Sequence, residues 1–232
     1  ESAVTKAGVL RQPDDNEGPD VSGRTLGRPF WIAIGWLGLL TVLAVLASWL
    51  PIEDPNKVGA GGPRLGPSFS HFFGTDALGR DVFARTIFGA RISLLVGFLA
   101  IVFGIVVGGG LGIIAGYFRG ITDQVISFCF FTLLSFPALV LALLITATID
   151  RNQWTVSFTL GILAVASVGR LSRANTIVFA EREFVQAARV LGANSRRIIT
   201  HELLPNVMIP MGALALLGMG IAIVAEGSLA FL

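Results

Sequence analysis

The sequence predicts an all-α fold, a polytopic bundle of membrane helices, and three observations predict it. Of its 232 residues, 53% are hydrophobic and only 14% charged, whereas soluble domains carry about 25% charged residues. Apolar runs close to the ~20 residues that cross a bilayer as a helix recur at 30–50, 92–118, 124–149, 154–168 and 207–225. The 17 Lys and Arg fall unevenly between the connections of those five runs.

Residues 1–28 are polar and include QPDDNEGPD. Such a segment cannot bury enough apolar surface to fold alone, and a disordered cytoplasmic tail is expected. Residues 29–52 read as the first transmembrane helix; the run is too long for a signal-peptide core, and no A-x-A site follows it. Residues 53–91 form a loop on the far side, and 92–232 form the core of the bundle. Trp31, Trp49 and Trp154 sit near span ends, where interfacial aromatics gather.

Orientation follows from the positive charges. With the N-terminus inside, eleven Lys and Arg fall on inside segments (four in 1–28, Arg119, and six in 170–197) and six on outside segments (five in 53–91, and Arg151). The positive-inside rule therefore favours a cytoplasmic N-terminus. Five spans leave the last residues outside in mid-hydrophobic run, and a sixth span is expected beyond Leu232.

In the second span Gly104, Gly108, Gly112 and Gly116 recur every four residues. Such a small-residue stripe lets helix backbones approach closely in lipid. In the third span, Ser135-Phe136-Pro137 suggests a bend, with lining of a pathway as the alternative. Glu226, near the outer end of the fifth span, reads either as a structural hydrogen-bond acceptor or as part of an outer gate. Asp76, Arg80 and Asp81 are expected to form an ion-pair network in the outer loop. Arg119 and Asp123 read as solvated flank charges. His71 has no second ligand at metal spacing, and the single cysteine, Cys129, allows no internal disulfide, so no metal site or bridge is expected.

The stretch EFVQAARVLGANSRRIITHELLPN, residues 183–206, is charged and helix-forming between two apolar runs. Phe184, Ala187, Ala188 and Leu191 share one face at helical spacing. Gly192 is placed like the residue after a helix C-cap, and Asn194 or Ser195 can cap a second helix, which Pro205 would end or kink. Three readings compete: a DNA-binding helix-turn-helix, an amphipathic loop on lipid headgroups, and a docking helix for the groove of a cytoplasmic partner. The first lacks a packed domain and a dimerisation element, and no nucleic-acid partner is expected.

At these residues a resemblance appears. Gln186-Ala187-Ala188, three residues, Gly192, then Leu204-Pro205 resembles the cytoplasmic EAA loop of ABC importer permeases. Gln186 replaces the family's Glu, and Glu202 stands where Ile is expected. His71-Phe-Phe-Gly74-Thr75-Asp76-x-Leu78-Gly79-Arg80-Asp81, continuing to Gly89-Ala90-Arg91-Ile92-Ser93-Leu94, is similar to the dipeptide/oligopeptide/nickel group and, within it, to the C-type subunit. Glu226-Gly-Ser228-Leu229-Ala230-Phe231-Leu232 is similar to a third family motif. One departure lies in the third span. Where relatives carry an Arg and, three residues on, an Asp, this chain has Phe128 and Phe131. Losing both charges together leaves no imbalance, on the sequence alone.

The resemblance implies a type I ABC importer permease fold in the inner membrane of a prokaryote. It implies a non-catalytic subunit working in a heterodimer with a second homologous permease, with two ATPase subunits or one fused ATPase beneath and an extracytoplasmic substrate-binding protein above. ATP and Mg would bind in the ATPases alone; this chain has no Gly-x-x-x-x-Gly-Lys-Ser/Thr loop, and its lysines are Lys6 and Lys57. The implied coupling loop is 174–206, with Glu183, Gln186, Ala187, Ala188, Arg189, Gly192, Leu204 and Pro205 as ATPase-coupling residues. Ser135, Pro137 and Glu226 are the implied pathway or gate, and Asp76, Arg80 and Asp81 the contacts for the binding protein. Dipeptides or oligopeptides are the expected substrates. The alternatives are a permease for nickel or another small solute, and an ion-gradient-driven transporter, which the lack of Asp and Glu in 92–118 and 124–149 disfavours.

Overall fold

The structure is a computed structural model and describes residues 27–59, 61–150 and 152–231. The tail reading for 1–28 therefore lies almost wholly outside the described residues. Among them the chain is helical, with no strand beyond an isolated bridge between Thr75 and Asp81. Two units are distinguished, 1–40 and 41–232.

Helix α1 (Arg28–Leu46) has 19 residues and exposes nearly its whole apolar surface, as a helix facing lipid does. In the larger unit, α2 (Val82–Phe103), a π-helical segment (Gly104–Gly109) and α3 (Gly110–Phe118) make one continuous span of 37 residues. The glycine stripe of that span lies against α6 (Gln153–Ala180). A Cβ at Gly108 would collide with the Val165 backbone, and one at Gly116 would lie 2.8 Å from the Arg173 carbonyl oxygen. Ser172 Oγ, on α6, donates to the Gly109 carbonyl at 2.8 Å across this contact. Close backbone packing with a buried hydroxyl bridge is what holds helices together where solvent supplies no hydrophobic drive.

The third span is not one helix. α4 (Gly120–Ser135) and α5 (Ala138–Thr148) meet at 87° across Phe136-Pro137. Pro137 lacks the N–H to continue α4 and pushes Phe136 to an extended φ/ψ of −86° and 136°.

The fourth span is longer than the hydropathy predicts. α6 continues for 28 residues through Arg170 and Arg173. Its buried side runs on through Ser172, Thr176 and Ala180, and Arg173 is neutralised by Asp123 of α4, so neither charge ends the helix. Asp123 is accordingly not a solvated flank charge, and it also accepts from Ser127 Oγ at 3.0 Å; Arg119 is exposed, as a flank charge is, and its Nη2 donates to the exposed Glu181 at 2.7 Å.

After α7 (Glu183–Val190) come α8 (Ser195–Arg197), a second π-helical segment (Ile198–Leu203) and α9 (Leu204–Phe231), continuous from 195 to 231. Pro205 does not end this helix. The wider π turn lies immediately before it, and the Leu204 N–H reaches five residues back to Ile199, so the turn that would collide with the proline ring is already open. α2, α5, α6 and α9 share a core of Val96, Ala100, Ala142, Val156, Leu160 and Leu229. A second cluster joins Ile101, Ile113, Val168, Val207 and Met211 of the α2–α3 span, α6 and α9.

Candidate functional site

Three places gather the chemistry. The first is the turn built on α7. Val185 is fully buried with Ala180, Ile198 and Leu203, and Ala188 packs against the same cluster. Glu183, Phe184, Gln186, Ala187, Arg189, Val190 and Leu191 are exposed, Val190 and Leu191 by 88% and 86%. The apolar face read from sequence therefore divides: Ala188 turns inward, while Phe184, Ala187 and Leu191 look away from the bundle. Both sides of this short helix are apolar, so spacing alone did not decide which one is anchored.

The turn is closed by backbone. The Gly192 N–H donates to the Arg189 carbonyl and the Ala193 N–H to the Ala188 carbonyl, both at 3.0 Å, with Gly192 at φ +80°. This is a Schellman closure, in which glycine accepts the left-handed conformation without a Cβ clash. Asn194 Oδ1 then accepts from the Arg197 N–H at 2.9 Å and caps the next helix. The Arg189 guanidinium lies 5.5 Å from the centre of the Tyr117 ring, tying α7 to the end of α3. Leu204 and Pro205 sit in the first turn of α9 rather than on the α7 surface.

The second place is the segment before α2. Asp81 is 6% exposed and caps α2 by accepting from the Ala84 N–H at 2.7 Å, while its other oxygen meets His71 Nδ1 at 2.7 Å. It is a buried capping residue, not a surface contact, and it does not join Asp76 and Arg80. Asp76 instead accepts from Arg80 Nε at 2.7 Å and Arg85 Nη1 at 2.6 Å. The Arg80 backbone N–H is the largest influence on the Asp76 carboxyl; desolvation opposes it, and the Leu78 N–H and the two guanidiniums add to it, holding the group well below the usual carboxylate range. Burial pushes Asp81 up, but the Ala84 N–H and the His71 ring outweigh it and leave its carboxyl lowered. Thr75 Oγ1 completes the loop, accepting from the Leu65 N–H at 2.8 Å and donating to the Gly62 carbonyl at 2.6 Å.

The third place is the membrane-level surface. Glu226 of α9 accepts from Ser93 Oγ of α2 at 2.7 Å and lines a cavity of about 580 Å³ with Ile92, Asn152, Gln153 and Trp154. It thus has both the structural bond and the cavity position. A narrower, apolar cavity of about 270 Å³ lies between α6, α9 and the α4–α5 elbow, lined by Phe136, Ala138, Ser167 and Gly218 among others. Ser135 Oγ is spent on the Phe131 carbonyl at 2.8 Å; with Pro137 it forms the elbow and does not line that cavity. Phe128, Cys129 and Phe131 are exposed on α4. The Arg170 guanidinium lies 5.5 Å from the centre of the Phe131 ring. The loss of charge at 128 and 131 is therefore not self-contained, because the cation facing position 131 remains. The sequence carried no signal for Arg170 beyond its position after an apolar run.

The family profile described as binding-protein-dependent transport system inner membrane component matches residues 108–232. The dipeptide transport system permease protein DppC of Alkalihalophilus pseudofirmus is 39% identical over 204 residues, covering 87% of this chain and 67% of that protein. The glutathione transport system permease protein GsiD of Pectobacterium atrosepticum is 32% identical over 226 residues, 92% of this chain and 74% of that protein. A putative peptide transport system permease protein of Brucella suis is 34% identical over 223 residues, with coverages of 95% and 75%. The apolar helices, the turn between α6 and α9 and these relatives converge: the chain belongs to the family of binding-protein-dependent transport system inner membrane components, multi-pass permease subunits of ABC importers that work with ATPase and binding-protein partners.

Proposed function

We infer that this chain is one half of the permease of a peptide importer, and that α7 is the element through which the ATPase drives it. The observation that carries this reading is the pairing of an anchored and an unpartnered side on one eight-residue helix. Val185 fixes α7 to the α3, α6 and α9 ends, while Phe184, Ala187, Val190 and Leu191 offer apolar surface rimmed by Glu183, Gln186 and Arg189. A helix presented in this way suits a groove on another protein. Gly192 and the Schellman closure make the turn stiff, so displacement of the seat moves α6 and α9 together.

In this reading the N-terminus and the α7 turn are cytoplasmic, and the 53–81 segment faces the binding protein. The second permease subunit is a homologue rather than a copy. Two ATPase subunits, or one fused ATPase, bind ATP and Mg, and this chain performs no chemistry. Dipeptides or oligopeptides are the substrates, in keeping with the named transport roles of the relatives.

Cross-linking tests the coupling. With Cys129 replaced by serine and a single cysteine at Leu191, a bond to the ATPase that changes in yield with ATP supports the reading. Labelling of position 191 only from outside the cell, or no bond to an ATPase, removes it.

A further inference from the structure

Arg170 and Arg173 sit one turn apart on α6 and have opposite circumstances. Arg173 is held by both carboxylate oxygens of Asp123. Arg170, among the described residues, has a ring contact with Phe131 and neither a hydrogen bond nor an ion pair. It lies seventeen residues into α6, about 25 Å along the axis, inside the roughly 30 Å of a hydrocarbon core. Its partner Phe131 is eleven residues, about 16 Å, along α4 from Gly120.

The surroundings are equally one-sided. Ser167, Arg170, Ala174 and Val178 form the exposed stripe of α6, beside exposed Phe128 and Phe131. An uncompensated guanidinium facing lipid at this depth is costly, so what covers this surface brings negative charge. Arginine rather than lysine suits that task, because its planar fork grips a carboxylate through two parallel hydrogen bonds while its flat face stacks on an aromatic ring. A ring also orients the guanidinium without neutralising it. That is the arrangement for a ligand that must arrive and leave, whereas Asp123 holds Arg173 in a permanent pair.

We propose that Arg170, stacked on Phe131, is a station on the transport route that takes the terminal carboxylate of a peptide as it crosses. The assignment rests on the peptide reading above.

The test uses the complete importer with its binding protein in vesicles. It reads ATP-driven uptake of a labelled free-acid peptide beside the ATPase rate. Arg170→Gln is expected to lower uptake at least tenfold with binding-protein-stimulated ATPase within twofold of wild type, and Arg170→Lys to restore part of it. Phe131→Asp gives Arg170 an internal partner without removing the cation, and is expected to slow uptake in the same way. A photo-reactive phenylalanine analogue at Phe128 is expected to cross-link to the peptide during turnover and to lose that product in Arg170→Gln. Unchanged uptake by Arg170→Gln, or cross-links at 128 to lipid or the second permease alone, overturns the Arg170 assignment and leaves the peptide reading standing. Joint loss of complex assembly and ATPase stimulation in both Arg170→Gln and Phe131→Asp marks Arg170 as a structural contact between subunits and likewise overturns it. Failure of wild-type vesicles to take up any peptide overturns both.

Discussion

Two polar connections interrupt the apolar helices, and they handle charge in opposite ways. The segment before α2 satisfies itself. Asp76 holds Arg80 and Arg85, Asp81 holds His71 and the first turn of α2, and Thr75 stitches the loop to Leu65 and Gly62. The α7 turn satisfies only its backbone. Its Schellman closure and Asn194 cap are complete, yet Val190 and Leu191 stand in the open. The first connection is stiffened by its own charged pairs while Phe69, Phe72 and Phe73 stand exposed on it; the second is stiffened by backbone closure and exposes Val190 and Leu191.

The sharpest way to break this contrast is Val185→Asp. It places a carboxylate in the cluster of Ala180, Ile198 and Leu203, at a cost of about 3 kcal/mol or more. Uptake should fall to background, and trypsin should cut at Arg182 and Arg189 faster than in wild type. Leu191→Glu changes the open side instead. It should leave protease resistance and thermal stability within about 0.5 kcal/mol of wild type while binding-protein-stimulated ATPase drops at least tenfold; a normal rate would show that the open side is not the interface.

Next in size is Asp81→Ala, which removes the cap of α2 and leaves His71 without its partner. A loss of about 2 kcal/mol is expected, read as a fall in thermal midpoint of the purified protein. Asp81 also sets a dependence on acid. Its folded carboxyl titrates below the ordinary range, so its stabilisation is complete above the unfolded value of about 4 and disappears as pH falls through the depressed folded value. Thermal midpoints should hold from pH 7 to about 4 and then decline, less steeply in Asp81→Asn. The smallest effect belongs to Gly192→Ala, which forces a Cβ into φ +80° in otherwise open space, costing about 1 kcal/mol and slowing uptake modestly.

Much of this was legible because lipid imposes simple rules. Apolar length reported the spans, the four-residue glycine repeat reported the face that meets α6, and Gly192 reported the end of α7. Other features depend on neighbours that a linear reading does not bring together. Arg170 and Arg173 looked like the end of a span because Asp123, which neutralises one of them, is fifty residues away on α4. Asp81 looked like a surface charge because its burial and its pairing with His71 are set by the folded loop, although the Ala84 N–H that it caps is only three residues away. Pro205 looked like a stop because nothing in ITHEL announces a π turn. Pro137 was read correctly as a bend, but the 87° angle depends on how α5 packs against α6 and α9.

The π turn over Ile198–Leu203 fixes the rotational phase of everything after it. A helix advances about 100° per residue, and a π turn accommodates a residue more than an α turn does. Closing Ile198–Leu203 into regular α geometry with no residue removed would therefore turn α9 by about that angle. Val207 and Met211 would swing off their cluster with Ile101 and Val168, and Glu226 would lose Ser93. The irregular turn therefore acts as the molecule's phase setting: removing one residue from it closes the turn and keeps the phase, and so disturbs α9 less than removing one residue from the regular helix that follows.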